Sequence, residues 1–258
     1  MAYALITGAS KGIGKAIASR LAERGYDLFL IARSENLLAE LSKDLQQKNK
    51  IKVTVLGIDL STDAAIDLIA RKIESEQMQI QILVNNAGYG LWGRFDTLSL
   101  SEQEAMLRIN TLTMVRLTYL VLPYLKKQPS SYILNVASTA AYQAVPTLAV
   151  YAASKAFVLN FTRGLRYELK NSGVSVTCLS PGPTETNFMN AAGMHSQKMI
   201  RRAKKFNMQA EEVAAFALKG MFAGKKEIIP GFINRVSAWM TALTPKSLTE
   251  KIAAGLYE

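Results

Sequence analysis

The sequence predicts an α/β fold: a doubly wound sheet of about seven parallel strands with helices on both faces, in one domain spanning 1–258. Three observations predict it. Short β-rich apolar runs alternate with helix-length amphipathic segments, the pattern of strand–crossover–strand units. The runs are nearly continuous in apolar character, as strands covered on both faces are. A glycine-rich turn joins the first run to the first helix.

In chain order, strands are expected over 3–7 (YALIT), 27–32 (DLFLIA), 52–58 (KVTVLGI), 81–85 (QILVN), 131–137 (SYILNVA) and 174–180 (VSVTCLS), with a last one in KEIIPG, 226–231. Between the first two, Ile17 and Leu21, with Ala18 and Ala22, repeat at helical spacing and stop on Gly25, a C′ residue. Leu37, Leu38, Leu41 and Leu45 mark a second helix, and Ile66, Ile69 and Ile73 a third. Longer helices are expected at about 101–126 and 150–171. No repeat, low-complexity tract or linker interrupts the chain.

Composition narrows the function classes. Apolar residues make up 49 % and charged residues 20 % of the 258, which is globular and not disordered. One cysteine, Cys178, lies in a strand-like run, so its expected role is a packed thiol in a reduced, cytoplasmic setting. One histidine and one cysteine offer no metal-ligand cluster, and no metal is expected. The amino terminus lacks a basic stretch followed by a long apolar core, so no signal peptide is expected. MVRLTYLVLPYL is broken by Arg116, Thr118 and Pro123, short of the ~18 apolar residues of a spanning helix. The net charge of +11 is spread along the chain with no nucleic-acid module, so a solvated basic surface is expected, not nucleic-acid binding.

The chemistry begins in LITGASKGIGKAIA. Gly8, Gly12 and Gly14 stand directly after the first strand and open the first helix, where they permit a tight turn and bring backbone N–H groups to a pyrophosphate. The spacing is G-x-x-x-G-x-G. The end of the second strand selects the dinucleotide. An acid there would accept from the ribose 2′-hydroxyl of NAD and repel the 2′-phosphate of NADP; here the chain reads Ala32-Arg33-Ser34. Arg33 can fork onto phosphate and Lys11 adds a cation, so NADP(H) is expected. The competing reading leaves Arg33 a solvated charge and gives the ribose to Glu35. After the third strand, Asp59 either accepts from an adenine amino group or caps the helix beginning near Thr62. Asn85 and Asn86 end the fourth strand on the carboxyl edge, where open α/β sheets bind ligands, although Asn85 could equally stabilise the sheet edge.

Tyr151 and Lys155 in YAASK share one helix face. Alone, such a pair is more often a surface accident than a device. A free phenol of pKa about 10 is a poor acid–base group at neutral pH, and a neighbouring ammonium lowers that value.

In order along the chain, TGASKGIG, NNAG, Asn110 in RIN, Ser138 in NVAST, Tyr151 and Lys155 in YAASK, and SPGPTET at 180–186 resemble the short-chain dehydrogenase/reductase family, over about residues 3–230. The tail from Pro230 is similar to that of bacterial family reductases of broad or unassigned specificity. The resemblance implies a Rossmann fold and hydride transfer between a nicotinamide and a carbonyl or secondary alcohol. It implies that Tyr151 protonates the carbonyl oxygen, that Ser138 hydrogen-bonds that oxygen, that Lys155 holds the nicotinamide ribose, and that Asn110 keeps a water connecting Lys155 to solvent. It extends cofactor contact to Ser10, Ile13, Leu60, Ala87, Gly88, Pro181, Gly182, Thr184 and Thr186. Two of these residues have plain structural readings as well: Ser138 as a cap beside Thr139, and Asn110 as an ordinary position in a regular helix.

Substrate contacts are expected from Trp92, Tyr142 and Phe188, among apolar residues at 89–95, 139–148 and a lid at 187–206. That set suits an apolar ketone, ketoacyl or steroid-like compound, though core packing accounts for much of it. His195 belongs with the lid, and RRAKK at 201–205 either meets a phosphate or faces solvent. The extension 231–258 should be helical, with Phe232, Val236, Trp239, Met240 and Leu243 on one stripe. Packing on the body is the first expectation for that stripe, an oligomer contact the second and a membrane surface the last. A homodimer or homotetramer is expected from the resemblance. The rival function is an NADP-binding sensor or scaffold without chemistry, against which the intact Asn110, Ser138, Tyr151 and Lys155 set argues.

Overall fold

The protein was analysed as a computed structural model that describes residues 2–186, 192–193, 207–245, 249–250, 253 and 255. Seven parallel strands form one sheet in the order β3-β2-β1-β4-β5-β6-β9. They are β1 (Tyr3–Thr7), β2 (Asp27–Ala32), β3 (Val53–Gly57), β4 (Ile80–Asn85), β5 (Ser131–Val136), β6 (Val174–Leu179) and β9 (Glu227–Ile228). A second, two-stranded sheet pairs β7 (Thr184–Glu185) with β8 (Met208–Gln209). The doubly wound fold expected from the sequence is the one found.

Each central strand supplies two cores. Along β1, Ala4 and Ile6 pack on one face with Ile17 and Leu21 of α1 (Gly12–Ala22), Leu38, Leu41 and Leu45 of α2 (Glu35–Asn49), and Val213 and Leu218 of the helix Ala210–Phe222. Tyr3 and Leu5 pack on the other, with Ile66, Ile69 and Ile73 of α3 (Ala64–Ser75) and Leu117, Val121 and Leu125 of the helix Met114–Lys126. This period of two on a doubly covered sheet explains why the strand sequences are apolar throughout and not alternating. Gly25 takes φ +79° and ends α1 as its position predicts. Cys178 is fully buried in β6, and burial pushes its thiol up to about 11, so it packs as an inert thiol.

The long helix expected at 101–126 runs from Leu100 to Lys126 but is not regular. It comprises α4 (Leu100–Leu107), a π-helical segment Arg108–Thr113 and α5 (Met114–Lys126). Although the run is long and apolar enough to cross a bilayer by composition, its apolar stripe is buried on the sheet. The catalytic-helix candidate, α6, spans Ala149–Glu168. The last strand keeps only two of the six residues expected, because Pro230 has no N–H for the ladder and Gly231, at φ +84°, turns the chain into the final helix. The helix Ala210–Phe222 is α7, and Phe232–Leu243 is α8. Of the expected lid at 187–206, all but residues 192–193 lies outside the described residues; Phe188, His195 and RRAKK fall there.

Candidate active site

Strand order reverses between β1 and β4, so the loops that follow these strands diverge and leave a crevice at their carboxyl ends. Polar groups buried beneath it hold both loops in place. Thr7 Oγ1 donates to the Val84 carbonyl at 3.3 Å and accepts from the backbone N–H groups of Asn86 and Ala87, each at 3.0 Å. Asn86 Nδ2 donates to the carbonyls of Thr7 at 2.9 Å and Gly8 at 3.1 Å. The side chain of Asn86, expected at a cofactor, therefore ties β4 to the glycine turn.

That turn needs its glycines for space. A Cβ on Gly14 would overlap the Gly8 carbonyl oxygen and stand 2.5 Å from Asn86 Nδ2. Ser10, Lys11, Gly12 and Ile13 lead into α1, whose cap residue Lys11 makes no side-chain cap bond and whose first turn holds no acid. The first N–H groups of α1 thus remain open to an anion. Across the turn stands Thr186, its methyl 2.8 Å from where a Gly12 Cβ would lie.

At the other end of the crevice, Arg33 is exposed at the end of β2, and no described carboxylate forms an ion pair with it. Glu35 opens α2 with its side chain against Gly57. Asp59 accepts from the Ser61 N–H at 2.9 Å, which, with help from Arg33, holds its carboxyl below the usual range. It does not cap α3, which begins at Ala64 after Asp63. The Leu60 side chain is in the core and its carbonyl accepts from Thr113 Oγ1 at 2.8 Å.

The catalytic candidates converge. Lys155 Nζ is buried, donates to the Val136 carbonyl at 3.0 Å and lies 5.8 Å from the centre of the Tyr151 ring. Burial pushes its ammonium down from 10.5 to about 8. A Cβ on Gly88 would sit 2.7 Å from Asn110 Oδ1 and 3.3 Å from Lys155 Nζ, so only glycine lets the NNAG loop pass between these two side chains and the crevice. Asn110 Nδ2 donates to the Tyr89 carbonyl and to Ser154 Oγ, both at 3.0 Å, while its Oδ1 accepts from the Tyr89 N–H at 3.1 Å. The expectation that Asn110 sits in a regular helix is corrected here. It lies in the π-helical turn, where the widened backbone lets a buried Asn span the NNAG loop and α6.

Ser138 follows β5, and its Oγ accepts from the Ala140 N–H at 3.1 Å. The capping reading is therefore correct, and it leaves the hydroxyl proton available to a ligand. Ala140, two residues on, packs in one cluster with Tyr151, Tyr89, Leu91, Trp92, Val145 and Leu148. Trp92, expected at the substrate, thus packs on the cluster that contains Tyr151. Its backbone N–H donates to the Ala192 carbonyl at 2.9 Å, and its buried indole N–H has no partner among the described residues.

Tyr142 does not join this cluster. The 3₁₀ turn Thr139–Tyr142 directs its ring toward Val158, Leu159 and Cys178, and its hydroxyl donates to Glu227 Oε1, whose other oxygen accepts from Arg163 at 2.7 Å. Its expected substrate contact is replaced by an anchor between α6 and the sheet edge. In SPGPTET, Thr184 Oγ1 donates to the Gly182 carbonyl at 3.0 Å, Thr186 Oγ1 to the Thr184 carbonyl at 3.4 Å, and the Pro181 carbonyl accepts from Thr139 N–H at 2.9 Å. This hydrogen-bonded loop joins the Ser138 turn to the glycine turn.

Asn135 and Thr162, which sequence reasoning passed over, carry the frame together with Asn85. Asn85 Nδ2 donates to Asn135 Oδ1 at 2.8 Å and to Thr118 Oγ1 at 3.0 Å, and Asn135 Nδ2 donates to Thr162 Oγ1 at 3.0 Å. The chain of amides ties β4 and β5 to α5 and α6, so Asn85 has the structural role. The two asparagines are paired across the strands; an amide in each of two otherwise apolar runs was the available signal.

Comparison with known proteins agrees with this fold. A family model described as short chain dehydrogenase matches residues 2–196. The chain is 32 % identical over 197 residues to an uncharacterized oxidoreductase of Staphylococcus epidermidis, covering 76 % of this chain and 84 % of that one. It is 35 % identical over 214 residues to sulfoacetaldehyde reductase 2 of Chromohalobacter salexigens, covering 81 % and 84 %. A short-chain dehydrogenase from Sphingobium yanoikuyae, solved in complex with NADPH, superposes with a TM-score of 0.83 at 30 % identity, over 96 % of this chain and 95 % of that one.

Proposed function

The chain belongs to the short chain dehydrogenase family, and on that premise we propose that it is an NADP(H)-dependent reductase of apolar carbonyl compounds. The observation that carries the reading is the convergence of Lys155, Asn110 and Gly88 beside Tyr151 at the carboxyl edge of β4 and β5. A nicotinamide dinucleotide fits the residues present. The glycine turn, closed so tightly that a Cβ at Gly14 would meet the Gly8 carbonyl and Asn86, leads into the bare N-terminus of α1, and Lys11 and Arg33 add cations along the crevice. Lys11 and Arg33, with no acid at the end of β2, support the phosphorylated dinucleotide.

When bound, that cofactor supplies the hydride that reaches the carbonyl carbon. The chain's own residues manage the oxygen. Ser138, one lone pair engaged by Ala140 N–H, donates a hydrogen bond through its single hydroxyl proton to the carbonyl oxygen and orients it. Tyr151 gives that oxygen its phenolic proton, completing the alcohol. The Lys155 ammonium, held on the Val136 carbonyl, favours the phenolate that remains. Asn110 fixes the NNAG backbone so that Gly88 stays clear of the ammonium.

An apolar substrate is supported by Leu91, Trp92 and Ala140, which are partly exposed and pack on the cluster that contains Tyr151. The sulfoacetaldehyde reductase shares only carbonyl reduction with this reading, since its named substrate is small and anionic. Loss of NADPH absorbance against a panel of ketones, ketoacyl thioesters and aldehydes is the test. Consumption of NADPH only with small anionic aldehydes overturns the apolar assignment, and no consumption with any carbonyl overturns the activity.

A further inference from the structure

The stripe on α8 was expected to pack on the body; Phe232, Val236, Trp239 and Met240 do the reverse, and the side chain of Leu243 lies outside the described residues. The face turned inward is Asn234, Ala238 and Thr241: Asn234 Nδ2 donates to the Pro230 carbonyl at 2.8 Å and lies over the Gly182 backbone, and Ala238 is buried. The apolar residues point away. Phe232 is 75 % exposed, Ile233 63 %, Val236 42 %, Trp239 65 % and Met240 49 %. At about 100° per residue these five fill an arc of roughly 120°, centred opposite the inward face. They form the most concentrated run of exposed large apolar side chains among the described residues.

We propose that α8 is a lipid-docking helix that seats the protein on an anionic bilayer surface. Charge selects this occupant. No Asp or Glu occurs between Glu227 and Glu250, while Arg235 and Lys246 do, in a chain of net charge +11. Arg235 is exposed on the flank of the stripe, about 40° beyond Trp239, where it reaches headgroup phosphates while the stripe enters the acyl boundary. A stripe centred on Val236, with an indole and then a cation along one edge, matches an interfacial helix. Because Asn234, on the face opposite the stripe, lies over Gly182, docking holds the bilayer one helix diameter, ~10 Å, from the loop that joins the Ser138 turn to the glycine turn. The inference does not depend on which carbonyl compound is reduced.

Vesicle sedimentation tests it, using the full chain with phosphatidylcholine vesicles and with vesicles that also contain phosphatidylglycerol. The parent is expected to sediment with the anionic vesicles, less so at high salt, and its tryptophan emission to be quenched by brominated lipid. Phe232→Ser combined with Trp239→Ser is expected to lower partitioning about tenfold or more while melting temperature and turnover of a water-soluble carbonyl stay unchanged. Arg235→Glu, which leaves the stripe intact, is expected to weaken binding to the anionic vesicles alone. A parent that stays in solution, or a double variant that sediments like it, overturns the proposal. So does a parent that forms a larger assembly than the double variant by sedimentation velocity without binding vesicles, which assigns the face to a second copy of the chain.

Discussion

Lys155 Nζ lies 5.8 Å from the Tyr151 ring centre and is held there by the carbonyl of Val136, the last residue of β5. One turn of helix puts the two side chains on one face; the strand end supplies the acceptor that aims the ammonium at the phenol. The pair faces inward and is not a surface accident, since Tyr151 is 7 % and Lys155 5 % exposed.

Tyr151→Phe removes the proposed proton and keeps the ring in its cluster. Turnover of the best carbonyl substrate is expected to fall by about a hundredfold or more, with NADPH affinity within a few-fold of the parent. Steady-state rates beside a fluorescence titration of NADPH check both, and a variant with undiminished turnover sinks the assignment.

The pH dependence of stability reports on Lys155. Its folded-state value, about 8, lies below the ordinary 10.5. Below pH 8 both folded and unfolded chains carry the charge, and folding bears the full desolvation cost. Between the two values the unfolded chain holds more protons, so stability rises with pH through this window. Denaturant unfolding of the parent and Lys155→Met at pH 7 and pH 10 should show the parent gaining on the variant, by up to about 3 kcal/mol. An unchanged gap contradicts the charged, buried ammonium.

Arg33→Ala should lower NADPH affinity about tenfold or more, the loss of one charge-assisted contact to phosphate, and leave NADH affinity nearly unchanged. Calorimetric titration of both cofactors decides it. Equal loss for both removes Arg33 from the selection of the phosphorylated dinucleotide.

Two Gly→Ala substitutions should act with opposite sign. At Gly14 the new methyl meets the Gly8 carbonyl and Asn86, and a loss of about 2 kcal/mol or more is expected. At Gly164, inside α6 with nothing within 4 Å of the added atom, a gain of about 0.5–1 kcal/mol is expected. Thermal unfolding of the two variants measures both, and a Gly14→Ala protein as stable as the parent refutes the packing of the turn.

Legibility followed the range of the interaction. Gly25, the strands and α1 to α3 could be read because periodicity and caps act within a few residues. Asn110 was located but not its π-turn, because the widening is held by partners at Tyr89 and Ser154, far along the chain. Tyr142 stood at a plausible substrate position until the 3₁₀ turn and Glu227, 85 residues away, drew it to the sheet edge. Asn135 read as a strand residue, and only its pairing with Asn85 across β4 and β5 makes it part of the frame.

By itself the sequence determined the doubly wound sheet, the glycine cradle and the Tyr151–Lys155 spacing, because each arises from local backbone geometry. Only the tertiary structure decided which way the faces point. Helical spacing assigns Phe232, Val236, Trp239 and Met240 to one stripe of α8 equally well whether the stripe faces in or out. The direction comes from Asn234 lying over Gly182, a contact between segments about 50 residues apart in sequence that exists only once the chain has folded.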